Sequence, residues 1–257
     1  MIGNNYHTHT CFCDGKNTPE ELVLKAISLG CREIGFSGHS YTDIPDEHPF
    51  CMSPENTKKY KAEILRLKMK YKDKISVLLG VERDYFSECD TSDYDYVIGS
   101  VHYVLKNGFY ISVDDTEEIL INAVNTYYGG DFYAFAEDYY ELVGNIFEKT
   151  CCDIVGHFDL VSKYNGKNRL FNPKNERYMA AADKALNRLL GKGLYFEINY
   201  GAVQRGLRTN PYPEERIIKK LLQNGEKIIY SSDCHDKEYL LYGIEKENFF
   251  ILPDKKK

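Results

Sequence analysis

Tyr6-His7-Thr8-His9-Thr10, followed by Asp14-Gly15, is the stretch from which the rest of the chain is best read. On an extended segment side chains alternate faces with period two, so His7 and His9 point the same way and both imidazoles can reach one metal ion. A lone His-x-His pair says little, and its weight here comes from where the other ligand-type residues fall. Short β-rich runs recur along the chain and end on His, Glu or Asp. The run 2–6 delivers His7 and His9, 33–37 is followed by His39, 76–81 by Glu82, 96–101 by His102, 153–156 by His157, and 227–231 by Asp233 and His235. A seventh run, 195–198, lacks such an ending.

Helical patterns separate most of these runs. Thr18-Pro19-Glu20-Glu21 predicts a helix start, with Thr18 as N-cap, Pro19 at the first helical position and Glu21 closing a capping box, and Gly30 supplies the stop. Further helices are expected over 54–71, over 116–150 with a break at Gly129-Gly130, over 176–190 and over 213–224. Strands alternating with helices imply a parallel sheet, and seven of them suit a closed or nearly closed barrel. In such barrels catalytic groups gather at the C-terminal strand ends, where these ligand-type residues stand.

The chain has 257 residues, 43% of them hydrophobic, which is enough for one barrel-sized domain over 1–257. No apolar run approaches membrane-spanning length and no basic-then-apolar leader is present, so a soluble, cytoplasmic protein with no membrane partner is expected. The eight cysteines are then reduced thiols, and neither Cys11-x-Cys13 nor Cys151-Cys152 has zinc-ribbon spacing. A formal charge of −6 argues against a nucleic-acid surface, and Lys255-Lys256-Lys257 reads as a solvated tail. The tyrosines at 127, 128, 133, 139 and 140 read as helix packing with wet hydroxyls. His48 reads as an exposed loop residue, and Cys234 as a spacer between two ligands. Oligomeric state is not legible.

The series His7-x-His9, Asp14-Gly15, Ser37-Gly38-His39, Gly80-Val81-Glu82, Gly99-Ser100-Val101-His102, Gly156-His157-Phe158-Asp159 and Ser232-Asp233-Cys234-His235 resembles the polymerase and histidinol phosphatase (PHP) superfamily over essentially the whole chain. Within it, the stretches 12–18, 157–165 and 197–202, the last continuing to Arg205-Gly206, look like the monofunctional histidinol-phosphate phosphatases. The resemblance implies an α/β fold, a distorted seven-stranded (β/α)7 TIM-like barrel, holding three divalent ions, zinc, iron or manganese. His7, His9, Glu82 and Asp233 would hold the first ion and Asp14, His39 and His235 the second. Glu82 would bridge to a third, bound by His102 and His157. Many relatives carry a histidine where this chain has Gly15, which makes the second set the one to examine.

Such a cluster keeps a net positive charge for a phosphate dianion and needs no protein nucleophile. Glu82, Asp233 and His235 are the expected catalytic residues. Arg205 is the expected phosphate clamp because a guanidinium binds two phosphate oxygens at once, with Lys163 a second substrate contact and Arg208 a weaker one. Tyr103 and Asp159 adjoin expected ligands and could orient them, while Asp43, Asp46 and Asp159 are candidates to read a cationic substrate at the pocket mouth. The expected reaction is hydrolysis of L-histidinol phosphate in histidine biosynthesis. The alternatives are another small phosphomonoester such as a nucleotide or phosphotyrosine, a polymerase-associated exonuclease module, or a non-catalytic metal scaffold.

Overall fold

The first helix starts where the capping box places it. In the computed structural model, which describes residues 3–44 and 50–244, the Thr18 hydroxyl accepts the Glu21 amide and the Glu21 carboxylate accepts the Thr18 amide at the head of α1 (Pro19–Ser28). Leu22, Val23 and Ala26 bury one face of that helix, and the fully buried β1 (Glu33–Phe36) follows. Ser53 caps α2 (Pro54–Lys70), whose Tyr60, Ile64 and Leu67 lie on one stripe and are buried. The Tyr60 hydroxyl donates to the Gly80 carbonyl at 2.8 Å, tying α2 to β2 (Ser76–Asp84) two residues before Glu82.

After β3 (Tyr96–Ser100) the chain makes a hairpin that the sequence reading did not anticipate, β4 (Tyr103–Lys106) paired antiparallel with β5 (Phe109–Ser112). Asn107 and Gly108 form its two-residue turn with φ of 52° and 85°, the doubly positive geometry that suits the right-handed twist of two paired strands. The helical region breaks at Gly129-Gly130 into α3 (Glu117–Tyr128) and α4 (Phe132–Gly144), and a further short helix, α5 (Ile146–Thr150), leads to β6 (Ile154–Val155). The remaining elements are α6 (Glu176–Leu189), β7 (Tyr195–Asn199), the single turn α7 (Gly201–Gln204), α8 (Glu215–Gln223) and β8 (Lys227–Ser231). The tyrosine stripe packs α4 onto α6: the Tyr140 hydroxyl donates to that of Tyr178 at 2.9 Å, and Tyr139 donates to the Phe158 carbonyl beside His157 at 3.2 Å.

Six strands form one parallel sheet in the order β1-β2-β3-β6-β7-β8, curled into a half-barrel. Tyr6, Tyr96, Ile98, Ile154 and Ile229 form an apolar cluster of their own, separate from the larger one that includes the buried helix faces. The expected first strand over 2–6 is not a regular strand among the described residues. Asn5 instead makes a parallel bridge to Ile34 of β1, and Thr8 makes one to Cys234 just beyond β8. The segment passes from one edge of the sheet to the other within a few residues, which leaves no length for a continuous ladder with either. His48, Asp46 and the terminal lysines lie outside the described residues.

Candidate metal centre

The backbone brings the ligand-type residues together at the C-terminal ends of the strands. His9 donates its amide to the Cys234 carbonyl at 2.8 Å and His7 accepts the Cys234 amide at 3.0 Å, so the His-x-His stretch lies directly against Asp233 and His235. Asp233 has a φ of 49°, a left-handed conformation uncommon without glycine, and these paired bonds hold it there. His39 bridges in parallel register to Glu82. Asp84 sits two residues past Glu82 on the same strand and therefore faces the same way. Its carboxylate accepts the His102 amide at 3.0 Å and lies 3.2 Å from His102 Nδ1.

Glu82 is the hub. Its Oε2 lies 3.1 Å from His7 Nε2, 3.5 Å from His9 Nε2 and 3.0 Å from His39 Nδ1, while Oε1 lies 2.9 Å from His157 Nε2 and 3.3 Å from His102 Nε2. Four sets of donor atoms fall within 4.8 Å of one another: His9, Asp14, His39 and His235; His7, His9 and Asp233; His7, Glu82 and His157; His39, Glu82 and His102. The structure thus brings all nine expected residues together, but with a different sharing, since His9 joins the Asp14 group and His39 the His102 group.

The chemistry of these atoms fits a cation. His7 Nε2, His9 Nε2, Asp14 Oδ1 and Glu82 Oε2 are buried with no hydrogen-bond partner, and orphaned buried polar atoms cost about 1–3 kcal/mol each. Burial disfavours charge throughout the cluster, yet Glu197, Glu82 and Asp233 together hold His7 well above its ordinary pKa. Against the same burial, His7, His39 and His102 hold Glu82 well below the usual carboxylate range, and His39, His235 and His9 do so for Asp14. Burial, with His235 and His39 alongside, instead depresses His9 to about 3. The His9 ring stacks on that of His235 at 4.1 Å, so it stays neutral with a lone pair available.

Glu197 opens the stretch 197–202 that carries part of the family resemblance, but the sequence assigns it no role of its own. Its Oε1 accepts from His7 Nδ1 and the Ser231 hydroxyl, both at 2.5 Å, and its Oε2 from the His157 amide at 2.7 Å and Asn199 Nδ2 at 3.1 Å. A carboxylate set between Phe196 and Ile198 in a strand-like run is the available signal.

The expected substrate contacts separate. Arg205 and Lys163 line the cleft over the cluster, a cavity of about 230 Å³, together with Tyr103, Asp114 and Asp115. Arg205 lies 3.3 Å from Asp233 Oδ2 and 3.4 Å from His235 Nδ1, and the Lys163 ammonium is bonded to Asp114. Asp159 does not orient His157: it is buried beside a second cavity, where its Oδ2 accepts the Glu214 amide at 2.9 Å and lies 4.0 Å from Arg208. Arg208 stacks over Tyr212 at 4.4 Å and lines that second cavity, not the cleft over the cluster. Asp43 is not part of the cleft lining. The Cys234 thiol donates to the Asp236 carbonyl and burial pushes its pKa up to about 12, as a spacer requires.

Gly15 has a local reason. A Cβ there would lie 2.5 Å from both the His9 carbonyl carbon and the Thr10 nitrogen, so no side chain fits while the loop holds Asp14 in place. Gly15→Ala is expected to cost about 1–3 kcal/mol of stability through this overlap and to weaken metal retention. Thermal melting with elemental analysis checks it, and wild-type values for both would contradict the packing argument.

A PHP domain family model matches residues 5–201. The chain is 27% identical over 255 residues to the probable histidinol-phosphatase of Schizosaccharomyces pombe, covering 89% of this chain and 79% of that protein. It is 25% identical over 264 residues to the histidinol-phosphatase of Bacillus subtilis, covering 93% and 96%. The fold is similar to that of hisK from Listeria monocytogenes, with a TM-score of 0.78 at 21% identity over 93% of this chain and 98% of that one. It is also similar to histidinol phosphate phosphatase from Lactococcus lactis, solved with zinc, L-histidinol and phosphate, with a TM-score of 0.58 at 22% identity over 92% and 87%.

Proposed function

Since the chain belongs to the PHP domain family, we propose that it is a metal-dependent phosphomonoesterase that hydrolyses L-histidinol phosphate to L-histidinol and phosphate, a step of histidine biosynthesis. The observation that carries this reading is the convergence of nine ligand-type residues in overlapping donor sets, with orphaned donor atoms at the base of a cleft that also holds Arg205. The histidinol-phosphatases among its relatives, and the zinc, L-histidinol and phosphate in the Lactococcus lactis protein, support the substrate and the metal.

His7, His9, Asp14, His39, Glu82, His102, His157, Asp233 and His235 would hold three divalent ions, with zinc favoured over iron or manganese. Bound ions of this kind polarise phosphoryl oxygens and supply hydroxide near neutral pH. The chain's own residues do the rest. Glu197 and Asp84 fix the rings of His7 and His102, and a bond from His235 Nδ1 to the Asp233 carbonyl turns His235 Nε2 toward Asp14. Arg205 clamps the phosphate oxygens beside Asp233 and His235. Residues 1–257 act as one catalytic domain, with the N-terminal segment as the seventh stave of a distorted (β/α)7 barrel, a reading supported by its bridges to both sheet edges. The eight cysteines are all free thiols, in keeping with a cytoplasmic location, which is proposed here.

A substrate panel tests the function. The purified protein is expected to carry zinc, to lose activity on exhaustive chelation and regain it with zinc, and to prefer L-histidinol phosphate over a mononucleotide, phosphotyrosine and an aryl phosphate by roughly tenfold or more, the range one well-placed charged contact supplies. Full activity after chelation would refute the metal reading. Equal efficiency across the panel would leave a metallophosphatase without the assigned substrate.

A further inference from the structure

The segment that follows β5 is pinned tightly for a loop. The Val113 amide donates to the His102 carbonyl at 2.8 Å, the Lys163 ammonium donates to the Asp114 carbonyl at 2.7 Å, and the Tyr164 hydroxyl donates to the carbonyls of Asp114 at 3.0 Å and Asp115 at 2.7 Å. With its backbone oxygens engaged in this way, the segment presents the Asp114 side chain to the cleft over the metal centre. Asp114 Oδ2 lies 3.3 Å from Lys163 Nζ, while Oδ1 carries no bond among the described residues. Lys163 is itself buried, and its ammonium is committed to Asp114. Two of its three N–H donors are thereby turned toward Asp114.

The other carboxylates lining the cleft are already engaged or lie at its rim. Asp14, Glu82 and Asp233 belong to the ligand cluster, Asp84 is bonded to both the amide and the ring of His102, and Asp115 is exposed. Asp114 stays ionised: burial opposes its charge, but Lys163 and the histidines His102, His157 and His39 outweigh burial and hold it below its ordinary range. The phosphate end of the substrate belongs at the donor atoms beside Arg205, so its amino-alcohol end must find a partner elsewhere on the cleft wall. An ammonium group needs an oriented carboxylate that is not already consumed by the metal centre.

We infer that Asp114 reads the ammonium group of the amino-alcohol half of the substrate, and that Lys163 and Tyr164 are positioning residues that aim it. This rests on the function proposed above. It also reassigns Lys163 from substrate contact to support.

The test compares kcat/KM for L-histidinol phosphate with kcat/KM for the same ester lacking its amino group, in wild type, Asp114→Asn and Lys163→Gln, with zinc content measured in each. Wild type is expected to favour the amino ester. Asp114→Asn should lower that preference roughly tenfold to a hundredfold, chiefly through KM, at unchanged zinc content, because the lost contact is a charge-assisted one. Lys163→Gln should lower the same ratio in the same direction, whereas loss of a phosphate contact would weaken both esters alike and leave the ratio untouched. A wild-type ratio near unity overturns the inference without any variant. An unchanged ratio in folded Asp114→Asn protein also overturns it while leaving the phosphatase reading intact, and a wild type that hydrolyses neither ester overturns both.

Discussion

Replacing Glu82 by glutamine is expected to strip more metal from the protein, and more activity, than any change at a single histidine of the cluster. The carboxylate is fully buried and its two oxygens stand 2.9 to 3.5 Å from five imidazoles, and both donor sets that include His102 or His157 draw on it. Glutamine keeps the shape but removes the negative charge and turns one acceptor into a donor aimed at ring nitrogens that must themselves face a cation. The loss of charge complementarity around the proposed ions should amount to several kcal/mol in the transition state, or roughly a thousandfold in turnover. His157→Gln removes one donor and leaves the hub, so its effect should be smaller on both counts. Elemental analysis and kcat on the two purified variants check this. Wild-type metal content with near-normal turnover in Glu82→Gln would show that Glu82 is not shared.

Much of this site was legible because strand ends are legible. Short continuous apolar runs such as Ser76-Val77-Leu78-Leu79 and Tyr96-Val97-Ile98 are of strand length, and each leads to a point where a ligand-type residue stands. What was lost lay just past those ends or between them. The predicted strand over 76–81 stops before Asp84, although β2 runs on to it and period two places it on the face of Glu82. Asn107-Gly108 between Tyr103-Val104-Leu105-Lys106 and Phe109-Tyr110-Ile111-Ser112 is a strong local hairpin signal, set inside a chain whose strand-helix alternation otherwise implies parallel pairing. That setting hid Asp114, which follows β5 directly. Lys163 is 49 residues from Asp114 in the chain, and no pattern of spacing links them; only the fold decides that the ammonium meets that carboxylate rather than a ligand. Asp159, by contrast, adjoins Phe158 and His157 in sequence but turns to the other side of the wall, because its oxygen is taken by the amide that opens α8.

Glu197→Gln should weaken both the fold and the metal centre without touching a proposed ligand atom. A carboxylate offers four lone-pair sites, and here each is used: His7 Nδ1 and the Ser231 hydroxyl on one oxygen, the His157 amide and Asn199 on the other. A glutamine amide offers two acceptor sites on its single oxygen, so two of the four donors would meet an N–H instead. Each buried donor left unsatisfied costs about 1–3 kcal/mol, which predicts a total loss of stability of roughly 2–6 kcal/mol. The metal centre suffers through the tautomer of His7. With an ion bound, a carboxylate partner keeps the remaining proton of His7 on Nδ1 and leaves the Nε2 lone pair to the ion between Glu82 and Asp233; an N–H donor beside Nδ1 favours the proton on Nε2, the atom that must bind the ion. Partners of this kind are worth about tenfold to a hundredfold in metal affinity. Thermal melting of the metal-free variant isolates the first effect and zinc titration the second. A variant that melts and binds zinc like wild type would mean that the four hydrogen bonds to Glu197 neither support the sheet nor set the orientation of His7.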